Sequence, residues 1–353
     1  MQNRLGRKSV ALLDLVRASA ALYVVLYHVA VERGWTGEIG LIFRFGQEAV
    51  ILFFLLSGFV IHANERQRAT EGVGYAIRRI RRIYPALIFA MLVSAVVAFI
   101  DGRLASTFSM AELFGTLFAL QDIAALKPGV IVDPFLGNAA LWTLSYEIFF
   151  YLLYPFAMIA WREFGARTSH LVGLVSCLAY LSFTLAPNHW TLVLAYYGVW
   201  WTGAMAAEAY LGGKRSLPAL RVPLAWLALL CAVAAVDVWR QGFQGLGVYP
   251  FLQLRHFLVA LFAVVLGFGP FGAWLAGKAL RVEKPAAAVA SISYGLYVLH
   301  FPLLILSSLA ATTLGLIEMA VVLVFLSWFA DRYLNERLPR FKVKRTAMPE
   351  NSA

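Results

Sequence analysis

Along the whole chain, long apolar runs alternate with short polar stretches. Ten runs approach the ~20 apolar residues that a bilayer-spanning helix needs: 10–31, 47–63, 85–100, 141–161, 169–186, 191–211, 223–239, 251–271, 286–308 and 313–333. The second and third are short, so those helices lie less tilted or begin earlier. Segment 108–126 is apolar but interrupted by Glu112, Gln121 and Asp122, and predicts an interfacial helix. The pattern predicts an all-α, polytopic integral membrane protein of about ten transmembrane helices. Ala18-Ser19-Ala20 resembles a signal cleavage site, but the apolar stretch follows it instead of preceding it, so the first helix is expected to be retained.

Composition strengthens this picture. Of 353 residues, 61% are hydrophobic and 14% charged, against roughly 45–50% and about 25% in an ordinary soluble domain. The net charge of +11 does not point to nucleic acid, because it is divided among short segments and not gathered on one basic face. It sets orientation instead, since Lys and Arg accumulate on the cytoplasmic side. With an inside amino terminus, one side holds Arg4, Arg7 and Lys8, the arginines from Arg66 to Arg82, Arg162 and Arg167, Lys214 to Arg221, Lys278 to Lys284, and the tail from Arg332 to Arg345. The other side holds Arg33, Arg44, Arg103, Lys127 and Arg240. Both termini are therefore expected in the cytoplasm, with one membrane domain over 1–345 and a short tail over 346–353. Cys177 and Cys231 sit in separate apolar runs and read as packing residues, and no metal site is expected.

Ionisable groups at membrane depth cost about 2.5–3.5 kcal/mol each and call for a reason. The first run contains Asp14, Arg17 and His28. Arg17 and His28 are eleven residues apart, so they share a helix face, about 16 Å apart along the axis. Asp14 pairing with Arg17 and His28 bonding a carbonyl is one account; a reaction site is the other. In the second run, Ser57-Gly58 suits a close helix contact. The next polar stretch, YAIRRIRRIYP, places Arg78, Arg79, Arg81 and Arg82 together. Topology, an anionic-lipid contact and a phosphate clamp all fit those arginines. Glu147 lies among aromatics in LWTLSYEIFFYLLYP, and Ser293, Tyr294, Tyr297 and His300 recur at helical spacing in SISYGLYVLHFP.

The order of these blocks resembles the acyltransferase 3 family of membrane proteins, which O-acylate bacterial glycans. Its Arg-x10-His signature matches Arg17 and His28. Its LFFxLSGF block matches Leu52 to Phe59, and its RRxxRIxP block matches Arg78, Arg79, Arg82, Ile83 and Pro85. The block running from tryptophan to Glu-x-x-x-Tyr matches Trp142 to Tyr151, and SYxxYLxH matches Ser293 to His300. Thr143 stands where serine is usual and Val298 where leucine is common. A late Glu-x-Pro element is stretched to Glu336-Arg337-Leu338-Pro339. No hydrolase-like extension is expected after the tenth helix, which suits the short, stand-alone form.

The resemblance implies acetyl-CoA as co-substrate, a carbohydrate or glycolipid acceptor, and the bacterial cytoplasmic membrane as location. It implies donor binding by Arg17, Arg78, Arg79 and Arg82, and catalysis by His28 as general base or acyl carrier, with Asp14 or Glu147 orienting it. Ser57, Trp142, Ser293, Tyr294, Tyr297 and His300 would line the site. A glycolipid transporter or flippase is the rival class, but the two repeated halves common in such proteins are not visible.

Overall fold

The computed structural model describes residues 5–334; the stretched Glu336–Pro339 element and the tail lie outside them. The chain is helical almost throughout. In order come α1 (Arg7–Glu32), α2 (Gly37–Ile42), α3 (Gly46–Glu65), α4 (Val73–Ile100), α5 (Leu104–Thr107), α6 (Met110–Leu117), α7 (Trp142–Phe164) and α8 (Arg167–Leu185). There follow α9 (His189–Leu211), α10 (Arg221–Gln241), α11 (Phe251–Phe268), α12 (Pro270–Ala279), α13 (Glu283–Ser291), α14 (Ser293–His300) and α15 (Thr313–Trp328). Helices satisfy their own backbone groups, and lipid offers those groups no partner.

Among the described residues, eight helices are long and apolar enough to cross a membrane, nine if a bent pair counts as one span. The chain is thus a multi-pass membrane protein. The difference from ten is α9, whose Tyr and Trp residues lower its hydropathy. It is nonetheless 23 residues long and mostly buried inside the bundle. The expected helix over 286–308 is broken: Pro270–Ser291 and Ser293–Leu306 meet at a 50° bend. Ile292, at φ −117° and ψ 8°, leaves the helical basin there.

The third helix begins earlier than its apolar run: α4 starts at Val73, after Gly72 at φ 59°, and takes in the polar stretch, so Arg78, Arg79 and Arg82 lie within about 100° of one another on it. One further expectation needs correction. Segment 108–126 is helical only over Met110–Leu117. Ala119, at φ 61°, ends it, and the chain turns inward, burying Gln121, Asp122 and Lys127. Lys127 bonds Asp122 at 2.8 Å and sits 3.8 Å from the Trp142 ring centre. Burial pushes the Lys127 ammonium's pKa down, and Asp122 opposes that shift.

The bundle centres on α3 against α9. A Cβ on Gly58 would lie 2.0 Å from the Trp200 carbonyl oxygen, and one on Gly203 would lie 2.1 Å from the Leu55 carbonyl oxygen. These two glycines let the backbones touch, as small residues do in membrane helix pairs.

Candidate active site

One position before Gly58, and so turned 100° from it, Ser57 stands between the α9 seam and a cavity. With Val50, Phe53, Phe54, Val60 and Ile61 it forms the α3 wall of this cavity of about 930 Å³. That wall runs from Val50 to Ile61, about 16 Å of helix. Arg17 of α1, the α4 arginines, Thr143, Glu147 and Tyr151 of α7, and Ser293, Tyr294 and Tyr297 of α14 complete it.

The arginine end is a network of its own. Arg78 donates to Glu65 (Nε–Oε2 3.0 Å, Nη2–Oε2 2.8 Å) and to Glu71 at 3.1 Å. Arg79 donates to Glu65 at 3.0 Å, while its buried Nε has no partner. Arg82 reaches Asp331 at 3.3 Å and lies 5.4 Å from the Tyr294 ring centre. Arg17 makes no ion pair or hydrogen bond among the described residues, so the pairing with Asp14, one of the two accounts of these residues, does not form. An arginine at membrane depth without a carboxylate is costly and suits an anionic partner from outside the chain.

Midway along the cavity, the Ser57 hydroxyl donates to Glu147 Oε1 at 3.1 Å and accepts from Trp200 Nε1 at 3.2 Å. Tyr151 donates to the same carboxylate oxygen. The other oxygen, Oε2, has no hydrogen-bond partner among the described residues. At the far end, Phe53 packs edge-on against Tyr297 with ring centres 5.8 Å apart. The Thr143 hydroxyl donates to Tyr297 at 3.0 Å, so threonine keeps the hydroxyl of the serine usually found there.

His28 and His300 do not line the cavity; they lie next to its far end. His300 is one turn beyond Tyr297, with ring centres 6.1 Å apart. His28 Nδ1 is 3.0 Å from His300 Nε2 and 3.0 Å from the Val24 carbonyl oxygen. The expectation that Asp14 or Glu147 orients His28 is not what the geometry offers. Asp14 is fourteen residues away on the same helix, about 21 Å, and Glu147 Oε1 is held by Ser57 and Tyr151. The residue on the His28 ring is His300. Trp142 also stands outside the cavity, beneath Lys127.

Sequence reasoning missed Glu65, Trp200 and Asp331, and quoted Tyr151 in a motif without giving it a place in the site. Glu65 and Asp331 carried a readable signal, an acid at or near the end of an apolar run that must be paired. Trp200 carried none, because only the α3–α9 contact brings its indole to Ser57.

The helical bundle thus holds a deep cavity, cationic at one mouth and ending beside a histidine pair. The chain belongs to the acyltransferase 3 family: the family profile, described as an acyltransferase domain, matches residues 10–330. It is similar to Nodulation protein 10 of Rhizobium leguminosarum bv. viciae, 25% identical over half of this chain and 56% of that protein. It is also similar to Peptidoglycan O-acetyltransferase OatA of Listeria monocytogenes, 27% identical over 51% of this chain and 29% of that protein. A protein of Bacillus subtilis (strain 168) is 24% identical over 84% of this chain and 49% of its own length. The chain thus spans about half or less of the length of these relatives. No solved structure matches it significantly.

Proposed function

We propose that the chain moves an acetyl group from acetyl-CoA, bound from the cytoplasm, to a hydroxyl of a cell-envelope carbohydrate, in a bacterial cytoplasmic membrane. The single observation carrying this reading is the cavity itself. It runs from a cluster of arginines along about 16 Å of helix, a span suited to an extended pantetheine arm, and ends at Phe53 and Tyr297, beside the histidine pair. The excess of Lys and Arg at the arginine end makes that end cytoplasmic.

In this reading Arg79, Arg82 and Arg17 bind the phosphates of CoA, since guanidinium pairs with phosphate oxygens through parallel hydrogen bonds. Arg78 is committed to Glu65 and Glu71 and supports them. Glu147 Oε2 and the Ser57 hydroxyl are poised for the amides of the pantetheine arm. Displacement of Phe53 or Tyr297 opens the way to His28. The acceptor hydroxyl gives its proton to His28 as its oxygen bonds the thioester carbonyl carbon. The C–S bond then breaks, and the CoA thiolate takes that proton from His28, which returns to its neutral state. A positioned base of this kind typically contributes 10²–10⁴-fold. The relative named a peptidoglycan O-acetyltransferase supports a glycan acceptor. Mass analysis of envelope glycans from cells with and without the protein tests the reading. Loss of acetyl ester from one glycan upon deletion is the expected result, and an unchanged acetylation pattern counts against it.

A further inference from the structure

We infer that His300 is a positioning residue, which holds the His28 ring in the tautomer whose Nε2 is bare; the inference builds on the reading of His28 as the reacting histidine.

The assignment follows from which atoms can only accept. His300 Nδ1 lies 2.7 Å from the Tyr297 carbonyl oxygen and 3.2 Å from that of Leu296. Carbonyl oxygens have no proton to give, so Nδ1 carries the N–H. A neutral imidazole has one N–H, and His300 Nε2 is therefore a lone pair. That lone pair and the Val24 carbonyl oxygen both converge on His28 Nδ1, at 3.0 Å each. His28 Nδ1 must then be the donor, and the remaining nitrogen, Nε2, presents its lone pair. The opposite tautomer would turn the His28 Nδ1 lone pair on two acceptors at once. The hydrogen bond on one ring nitrogen thus sets the state of the other.

Packing fixes the ring as well as the proton. Tyr27 and Phe301 meet it edge-on, with ring centres 4.7 and 5.2 Å away. Both chemical roles open to His28 need Nε2. As a base it takes the acceptor's hydroxyl proton there; as a carrier it bonds the acyl carbon there while the C–S bond breaks. In either case positive charge develops on the ring and strengthens the Nδ1–H bond to His300. The dyad resembles in logic the carboxylate that orients a catalytic histidine, with a neutral acceptor in its place.

The test reads the proton directly. Full-length protein carrying nitrogen-15 histidine is examined by NMR at neutral pH, and the His28 signals are those lost in His28→Gln. We expect a protonated Nδ1 and an unprotonated Nε2. His300→Leu removes one of the two acceptors and leaves the Val24 carbonyl oxygen alone on Nδ1. It should weaken the bias, so that a share of the Nε2-protonated tautomer appears, and lower kcat on the order of ten- to a hundredfold, part of what a base contributes, with KM for acetyl-CoA little changed. His300→Gln, whose amide oxygen still accepts, should restore most of the activity and the single tautomer. A protonated Nε2 on wild-type His28 overturns the inference, and so does unchanged kcat in folded His300→Leu. If His300→Leu does not fold, the wild-type spectrum and His300→Gln decide. Should the wild type transfer no acetyl group while its spectrum is as expected, the proposed function fails and the tautomer assignment stands.

Discussion

Arg79 illustrates how one side chain serves both the bundle and the cavity. Its Nη2 is held by Glu65, its Nε is buried without a partner, and its guanidinium lies 5.7 Å from the ring centres of Tyr75 and Tyr151. Lysine in its place keeps the charge and loses the planar fork. Arg79→Lys should therefore weaken acetyl-CoA binding on the order of tenfold, the loss of one charge-assisted bond, with the protein still inserted and folded. Calorimetric titration checks this, and an unchanged Kd contradicts it. Residues of this kind were legible because a charge at membrane depth requires a reason: the same rule found Arg17, His28, Glu147 and His300. It did not find their partners. Which acid meets which arginine depends on how α4 packs on α3 and on the chain beyond α15. Asp331 and Arg82, 249 positions apart, are joined by packing that no local pattern encodes.

At the scale of elements, the apolar runs located nearly every helix, because backbone groups in lipid allow few alternatives. The exceptions are places where tertiary contacts set the path. The bend at Ile292 has no proline or glycine to announce it, and the loop after α6 folds inward around the Asp122–Lys127 pair. The α3–α9 seam was half legible: Gly58 makes the expected close contact, whereas Ser57 beside it belongs to the cavity. Because a Cβ at Gly58 would collide with the Trp200 carbonyl, Gly58→Val must push α9 away and shift Ser57 from Trp200. Overpacking of this sort costs about 1–3 kcal/mol. The purified variant should melt at lower temperature and bind acetyl-CoA less well. An unaltered melting temperature would show that the seam is looser than described.

For the whole molecule, the membrane orientation organises everything else, since it decides which mouth would meet the proposed cytoplasmic donor. Lys and Arg collect at the arginine end of the cavity, and α9 restores an even number of crossings when added to the eight helices and the bent pair. Reporter fusions at Ala353 and near Pro187 should report the cytoplasm and the outside respectively. A carboxyl terminus found outside would reverse the cavity and remove the donor route.

The central claim is that a CoA-bound acetyl group reaches an envelope carbohydrate by way of His28. The most direct measurement is transfer of label from radioactive acetyl-CoA to envelope glycan by the purified protein, wild type beside His28→Gln. Glutamine keeps the size and hydrogen bonding of a neutral histidine but cannot take a proton or carry an acyl group. The account predicts ester-linked label on glycan with the wild type, and a rate lower by roughly 10²–10⁴ with the variant, while acetyl-CoA binding and melting temperature stay near normal. A folded His28→Gln protein that keeps more than about a tenth of the wild-type rate, well above the loss expected for a general base, would contradict it.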